Sequence, residues 1–377
     1  MFISSLNLKN FRNYENLSLD FDSDKTLIIG KNAQGKTNIL DSIFYLSSLK
    51  SLNAKTDSEL IRWGENYAGI SAIIKNSDIE TKLDVSLSTE KKKVIKVNDI
   101  KKNNSIDFIS KFSTVSFTVS DLLLLRGTPE DRRDWLDIAI SQIYPAFDER
   151  LSKYNKIKTQ KNNYLRTLKS GLANDKELLK VWNTQLLTCG ANIIYLRIKF
   201  LKELQKIAQV KHSQISRDEV LHVSYDSSVV SFESCKGEEL PSVEYIAEEF
   251  SKRLAEKEDE ELIRCQSVVG PHRDDVSYFI NDNDAKKYAS QGQQRTIVLA
   301  LKLAELEMIE SKLDTTPVLL LDDVLAELDD IRQNYLLSSI KPHTQTIITS
   351  VDTLHFRNEY LRDVAIYRIA ENQASRI

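Results

Sequence analysis

The chain has 377 residues, which suffice for two domains or for one large domain that carries an insertion, and 41% of them are hydrophobic. Its 52 lysines and arginines are balanced by 55 acidic residues, so a net charge of −3 excludes a protein that attracts nucleic acid over its whole surface. The sequence shows no secretory leader and no apolar run of membrane-spanning length, which predicts a soluble cytoplasmic protein.

The first hundred residues contain short segments in which apolar and polar residues alternate, separated by clusters of Asn, Asp, Ser and Lys. This pattern is typical of β-strands and predicts a mixed sheet. Within it, the segment TLIIGKNAQGKT ends at Thr37. A strand-like apolar run precedes its first glycine, and residues 37–49 have the apolar spacing of an amphipathic helix.

Gly30, Gly35, Lys36 and Thr37 match the phosphate-loop pattern G-x-x-x-x-G-K-[ST], in the strand, loop and helix order that the motif requires. Backbone N–H groups of such a loop bind phosphates, the lysine reaches the β and γ oxygens, and the hydroxyl reaches Mg²⁺. The residues expected to contact the nucleotide here are Gly30, Lys31, Asn32, Ala33, Gln34, Gly35, Lys36, Thr37 and Asn38. The motif predicts nucleotide binding but does not indicate its purpose.

A helical region begins at Thr128, where a capping hydroxyl is followed by proline and two acidic residues. Helical patterns then dominate to about residue 215, and apolar residues repeat at alternating steps of three and four from Leu179 to Val210, interrupted by Glu203. We expect this seam to pack against residues 147–168 as an antiparallel hairpin. The predicted organisation is a head assembled from residues 1–125 and 264–377, with an inserted helical arm at residues 126–263.

Near the C-terminal end, an apolar strand-like run ends in Asp322 and Asp323, and a helix is expected to begin near Asp329. This is a Walker B arrangement. Asp322 is expected to hold Mg²⁺ together with Thr37, and Asp323 to orient or deprotonate the attacking water. Because Asp323 is one methylene shorter than the glutamate alternative, we expect slow turnover.

The sequence SQGQQ at residues 290–294 directly precedes a long helix with an apolar face, and such a helix N-terminus suits an anion. Together with the distant phosphate loop, this stretch matches the signature of ABC-type ATPases, which contacts the γ-phosphate held by a second copy of the head. Ser290, Gly292 and Gln293 are therefore expected to act on the partner's nucleotide. Lys36, Asp323 and Ser290 are the residues assigned to catalysis.

Six segments together resemble the RecF family of bacterial recombination-repair proteins: the phosphate loop, SQGQQRT, LLLDDVLAELD, LKNFRNYENLSLDF, GTPEDRRDWLD and GPHRDD. The resemblance implies an α/β fold, an ABC-type P-loop ATPase head with a mixed sheet and helices. It also implies an inserted, mostly helical arm with a short antiparallel coiled-coil-like hairpin. By the same resemblance, Arg12 and Asn13 lie near the nucleotide. Thr349 stands where many ABC proteins have a histidine, and its role stays open.

The resemblance further implies ATP and Mg²⁺ as ligands, a homodimer that forms on ATP binding, and weak DNA-stimulated ATP hydrolysis. The DNA would be single- and double-stranded, bound without sequence preference, at gaps and single-strand to double-strand junctions. RecR and RecO are the implied partners, and help in loading RecA is the implied role in DNA replication, recombination and repair. No membrane is implied.

Two lysine-rich stretches are candidates for contacts with DNA phosphates, although charge runs taken alone more often form a solvated face. The resemblance favours DNA, because lysine contacts to phosphate are independent of sequence. The candidates are Lys91, Lys92, Lys93 and Lys96 on a predicted hairpin, and Lys153, Lys156 and Lys161 on the first arm helix.

Two other functions remain open at this point. A P-loop kinase or transferase would use the same loop and Mg²⁺ carboxylate, but it has no use for a signature that acts on a partner. A structural SMC-like head without hydrolysis would keep every binding residue and would not need Asp323. The three cysteines, Cys189, Cys235 and Cys265, lack the spacing of a metal site and are expected to be reduced.

Overall fold

A computed structural model describes residues 1–172, 175–230, 240–353, 356 and 363–377 of the chain. The chain divides into two compact units, one formed by Met1–Leu122 with Arg295–Ile377 and the other by Leu123–Gln294. The second unit contains the arm expected at residues 126–263 and continues beyond it. It does so because the strand Asp275–Ile280 pairs antiparallel with the strand Leu221–Asp226 of the same unit.

The first unit contains an antiparallel six-stranded sheet of order β2-β1-β4-β5-β6-β7. Its alternating burial, as in β4, matches the alternating sequence pattern. Its strands are β1 (Phe2–Phe11), β2 (Tyr14–Asp20), β4 (Tyr67–Asn76), β5 (Ile79–Ser88), β6 (Val94–Val97) and β7 (Ile100–Lys102).

The strand that leads into the phosphate loop does not join this sheet, although it lies between β2 and β4 in the sequence. It is β3 (Lys25–Ile29), and it belongs to a second six-stranded sheet of order β15-β14-β3-β13-β12-β8. That sheet is mixed, because all its pairings are parallel except β14 with β15. The other strands are β8 (Thr114–Thr118), β12 (Val318–Asp322), β13 (Thr346–Ser350), β14 (Ala365–Ala370) and β15 (Gln373–Arg376).

The register of the second sheet places functional positions side by side. Asp322 at the end of β12 pairs with Thr349 of β13, and Thr349 pairs in turn with Ile28 of β3. The helices of this unit are α1 (Lys36–Ser48), α2 (Ile106–Ile109), α11 (Val324–Glu327) and α12 (Asp330–Ser339), with most of α10 (Gln291–Leu313). The carboxyl ends of β3, β12 and β13 therefore meet at the loop that precedes α1.

The second unit is mostly helical, with one three-stranded sheet of order β11-β10-β9. The expected start of α4 is confirmed, because the Thr128 hydroxyl accepts from the Asp131 N–H and the Asp131 carboxylate accepts from the Thr128 N–H. Its helices are α3 (Leu123–Arg126), α4 (Pro129–Ile143), α5 (Ala146–Lys169), α6 (Lys176–Ile215), α7 (Val243–Glu256), α8 (Glu258–Arg264) and α9 (Ala285–Tyr288). Its strands are β9 (Leu221–Asp226), β10 (Asp275–Ile280) and β11 (Asn283–Asp284).

The helical hairpin is confirmed, since α5 and α6 pack against each other. The seam predicted on α6 holds from Leu179 to Phe200, where its members at steps of seven are buried. Beyond Phe200 the buried positions are Leu201, Leu204, Ala208 and His212, and Val210 of the predicted seam is 56% exposed. An α-helix has 3.6 residues per turn, so a 3.5-residue seam drifts off the packed face along a helix of 40 residues.

Candidate functional site

The phosphate loop connects β3 to α1, and its two glycines are required by geometry. A Cβ atom on Gly30 would lie 2.6 Å from the carbonyl oxygen of Ile369. Gly35 has a φ of +93°, and a Cβ there would lie 2.4 Å from the Asn13 amide nitrogen. The left-handed backbone at Gly35 turns the chain directly into the first turn of α1. The loop thus has the close-packed backbone that phosphate binding at a helix N-terminus needs.

The Lys36 ammonium lies folded over this loop. Its side chain is only 4% exposed, and Nζ donates to the carbonyl oxygen of Gly30 at 2.8 Å. A carboxylate oxygen of Asp323 lies 3.9 Å from Nζ. The lysine charge is therefore held at the loop, beside the acidic end of β12.

Asp322 receives two hydroxyl hydrogen bonds on one carboxylate oxygen, from Thr37 at 3.0 Å and from Thr349 at 2.7 Å. Burial raises the pKa of Asp322, while the hydrogen bonds from Thr349 and Thr37 act to lower it. A carboxylate and a hydroxyl in contact are both hard oxygen ligands, the kind that Mg²⁺ combines with phosphate oxygens. The residues present therefore fit a Mg²⁺ ion held by Thr37 and Asp322.

Asp323 adopts a left-handed backbone conformation with a φ of +50°, unusual for a residue other than glycine. Its N–H donates to the Thr349 hydroxyl at 3.0 Å, and its carboxylate is 34% exposed. Thr349 thus contacts both acids, a role that the sequence did not indicate because the two segments meet only through the sheet register. Strained backbone of this kind concentrates at functional sites.

Asn13 contacts the loop, and Arg12 binds the helix that follows it. Asn13 accepts from the Asn38 amide at 2.7 Å and donates to the Gln34 carbonyl oxygen at 3.3 Å. The Arg12 guanidinium donates to the buried Asp41 carboxylate of α1 at 3.4 Å. Burial raises the pKa of Asp41 against the effect of Arg12 and of two hydrogen bonds.

The turn between β14 and β15 also touches the loop, and sequence reasoning missed it. Asn372 accepts from the Asn13 amide, and the Glu371 N–H donates to the Gln34 side chain at 3.0 Å. Both turn residues have positive φ, which Asn tolerates and which a tight strand-to-strand turn requires. The sequence signals this turn only by the pair Glu371 and Asn372 between two short strands.

The signature residues Ser290, Gly292 and Gln293 lie in the second unit, at the start of α10. Ser290 is exposed and caps the helix, because its hydroxyl accepts from the Gln293 N–H at 3.3 Å and its N–H donates to the Gln293 side chain at 2.7 Å. The Gln293 amide also donates to Glu219 at 2.8 Å. Gln293 is thus engaged within its own chain, whereas Ser290 lies open at the helix start.

Lys161 is wrong as a candidate DNA contact. Its side chain has no exposed surface, and its ammonium pairs with Glu261, which is also buried. Burial lowers the pKa of Lys161, with Glu261 opposing that shift. A lysine enclosed in this way cannot reach a phosphate.

The other candidate lysines differ in their surroundings. Lys93 pairs with Asp57 at 3.2 Å, which reduces its availability, and Lys96 is half-buried. Lys91, Lys92, Lys153 and Lys156 are exposed.

Cys189 and Cys265 are free thiols, and Cys235 lies outside the described residues. In the part of the chain that the structure describes, no helix has the length and apolarity to cross a membrane.

Comparisons with known proteins agree on one family. The protein-family model described as the RecF/RecN/SMC N terminal domain matches residues 2–375 of this chain. The chain is 38% identical over 370 residues to the DNA replication and repair protein RecF of Geobacillus thermodenitrificans, covering 98% of each chain. It is 39% identical over 376 residues to the protein of the same name from Bacillus pumilus, covering 99% of each chain.

Among solved structures, RecF with ATP in the RecFOR pathway matches with a TM-score of 0.90 and 32% identity, covering all of this chain and 97% of that one. A Pyrococcus furiosus Smc head domain matches with a TM-score of 0.54 and 14% identity, which shows a shared fold only. The fold is thus an α/β, ABC-type P-loop head with an inserted, mostly helical arm. The resemblance inferred from the motifs is confirmed, and the chain belongs to the RecF family.

Proposed function

We propose that the chain is an ATP-dependent DNA-binding protein of recombination repair, which binds ATP with Mg²⁺ at the phosphate loop and dimerises on ATP binding. One observation carries the proposal: Lys36, Thr37, Asp322 and Asp323 converge at the loop between β3 and α1. The match to a solved RecF structure with ATP supports ATP as the nucleotide. DNA, RecO and RecR are the proposed partners, since the matched structure is described as part of the RecFOR pathway.

The residues divide the work of nucleotide binding and hydrolysis. The loop backbone and the Lys36 ammonium bind the phosphates, while Thr37 and Asp322 hold Mg²⁺. Mg²⁺, when bound, would neutralise phosphate charge. Asp323 orients the attacking water and accepts its proton on a carboxylate oxygen. Thr349 positions both acids through its hydroxyl.

Dimerisation supplies the remaining group. Ser290 lies exposed at the N-terminus of α10, where the helix dipole and the hydroxyl suit an anion. In the proposed dimer it approaches the γ-phosphate held by the partner's loop, with Gly292 allowing a close approach. Hydrolysis is slow and opens the dimer, so ATP acts mainly as a switch, and DNA stimulates turnover. The dimer helps to load RecA at gapped DNA.

Sedimentation velocity with and without ATP and duplex DNA tests this function directly. We expect a shift to a dimer with ATP and a further shift when DNA is added, together with slow phosphate release that DNA accelerates. A monomer with all ligands present would contradict the dimer switch. Phosphate transfer to a small acceptor without DNA stimulation would instead favour a kinase or transferase.

Asp323→Asn should separate hydrolysis from binding. The substitution keeps the side-chain shape but removes the proton acceptor, so phosphate release should fall by about 100-fold or more while ATP affinity remains and the dimer persists longer. Asp78→Asn, in the exposed turn between β4 and β5, is the matched control and should hydrolyse ATP normally. If Asp323→Asn turns over at the parent rate, Asp323 is not the proton acceptor, and if the parent itself releases no phosphate, the head is a structural clamp.

Thr349→Val tests the positioning role of the hydroxyl. Valine has nearly the same shape, but it leaves the Asp323 N–H without its acceptor and removes one donor from Asp322. We expect hydrolysis to fall by about 10- to 100-fold, as when other groups that orient metal ligands are lost. The variant should also need a higher Mg²⁺ concentration than the parent to reach half of its maximal activity. Thr349→Ser should rescue both properties, and a valine variant with the parent Mg²⁺ titration would refute the role.

A further inference from the structure

The motif GPHRDD, residues 270–275, forms a rigid loop in the second unit that the nucleotide site does not use. His272 is held on both sides, by the Tyr154 hydroxyl at 2.7 Å and by the Ser267 carbonyl oxygen at 3.0 Å. Burial lowers the pKa of His272 to about 3, so the ring is neutral at physiological pH. Gly270 has a φ of +126°, and a Cβ there would lie 2.4 Å from the Tyr154 hydroxyl.

Ion pairs of two enclosed arginines fix both ends of this loop. Arg197, itself fully enclosed, binds Asp137 through two hydrogen bonds of 2.8 Å and donates to the Pro271 carbonyl oxygen at 2.6 Å. Arg132 binds Asp275 through two hydrogen bonds of 2.6 and 2.9 Å. Paired guanidinium and carboxylate groups of this geometry are directional, so the backbone between Pro271 and Asp275 has little freedom.

Three cations lie at this loop, one of them, Arg273, within it. The Arg133 guanidinium of α4 donates to the Asp274 carbonyl oxygen at 2.7 Å, and that of Arg273 donates to the Ser267 carbonyl oxygen at 3.1 Å. Lys158 follows Tyr154 by one turn of α5 and so lies on the side of that helix that faces the loop. Arg133, Lys158 and Arg273 thus come from three separate parts of the second unit.

These cations are poorly neutralised by the protein. Within the described ranges, none of the three has a carboxylate oxygen within 4.0 Å. Glu130 acts on Lys158, and Glu260, on which Arg273 acts, is already bound by Lys257 and Arg264. Partial burial lowers the pKa of Lys158, and Arg133 and Arg273 lower it further. Like charges held together at a fixed loop are unfavourable unless an anion binds between them.

We propose that Arg133, Lys158 and Arg273 form a preorganised site for the phosphate backbone of DNA. The inference rests on the proposed function, which includes DNA binding. Guanidinium groups already held by backbone carbonyl oxygens keep further N–H donors for phosphate oxygens and lose little side-chain freedom on binding. Because the net charge of the chain is −3, attraction to DNA must come from local clusters.

The test compares two triple variants of the full chain with ATP present, using labelled duplex DNA of two unrelated sequences. The first is Arg133→Gln, Lys158→Gln and Arg273→Gln. The second removes the same charge from exposed arm cations that already pair within their own helices, as Lys180→Gln, Lys252→Gln and Arg253→Gln. We expect the first variant to bind both sequences more weakly by the same factor. Its slope of log K against log salt should flatten by about 0.9 for each lost contact.

The control variant should keep the parent slope, and both variants should keep the parent ATP affinity and ATP-induced dimer. A parent slope in the first variant overturns the site while the proposed function stands. A parent protein that binds no DNA overturns the proposed function instead. Loss of ATP affinity in the first variant would mean that the cations serve the nucleotide. If the triple variant does not fold, Lys158→Gln alone decides the matter, because Lys158 makes no hydrogen bond among the described residues.

Discussion

Lys36→Met is expected to abolish ATP binding, and with it ATP-dependent dimerisation and stable DNA binding. The Lys36 ammonium is nearly enclosed and lies 2.8 Å from the Gly30 carbonyl oxygen, which holds its charge at the loop. Methionine has a similar length but no charge, so the phosphates would meet the Gly30 carbonyl oxygen and the Asp323 carboxylate without compensation. Removal of one donor from an oxyanion hole lowers kcat by about 100- to 1,000-fold. We expect a loss of at least that size in ATP affinity.

Isothermal titration with ATP and sedimentation with ATP and DNA measure these effects. Lys75→Met is the matched control, because Lys75 lies on β4, is exposed and pairs with Glu80 on the neighbouring strand. A surface pair of this kind contributes little, so the control should bind ATP and dimerise like the parent. Unchanged dimer formation by Lys36→Met on ATP addition would refute the nucleotide site as a whole.

Local motifs of this chain were predictable because short-range geometry determines them. The turn at Gly35 needs a residue without a side chain, and the start of α4 needs the hydroxyl and carboxylate of a capping box. The strand that ends in Asp322 is a continuous apolar run, as expected for a parallel strand covered on both faces. Each of these features depends on neighbours within a few residues, so the sequence alone identifies it.

Contacts between distant segments were not predictable in this way. Thr349 meets Asp322 because β12 and β13 pair in parallel with one particular register, and a shift of one residue would turn its hydroxyl to the other face. The same holds for the loop of GPHRDD. Its six residues are recognisable as a family motif, but their partners Tyr154 and Arg197 lie on α5 and α6. No spacing rule connects them.

The error at Lys161 has a different origin, because the sequence contained the information to avoid it. Tyr154, Ile157, Lys161 and Leu165 follow one another at steps of three and four, and all four are buried on one face of α5. A run of lysines in the sequence does not show which face of the helix each lysine occupies. Lys153 and Lys156 fall outside that stripe and are exposed.

Ser290→Arg is expected to abolish ATP-induced dimerisation and hydrolysis together, while the monomer binds ATP with the parent affinity. Ser290 is exposed at the start of α10, so an arginine there has room within its own chain. In the proposed dimer, a small hydroxyl must approach the partner's γ-phosphate closely, and the larger side chain would obstruct that approach. Ser290→Ala, which keeps the space but removes the hydroxyl, is the matched variant and should still dimerise.

Mixing Ser290→Arg with Lys36→Met gives the sharpest test of the composite site. A mixed dimer can assemble one of its two sites, the one that joins the intact loop of the Ser290→Arg chain to the intact signature of the Lys36→Met chain. We therefore expect the mixture to recover phosphate release that neither variant shows alone, up to one active site per mixed dimer. Loss of ATP binding by Ser290→Arg alone would place Ser290 in its own chain's nucleotide site and remove the model of action on the partner. Absence of recovery in the mixture, with ATP binding by Ser290→Arg intact, would show that both sites must close together before either hydrolyses ATP, which contradicts independent sites in the dimer.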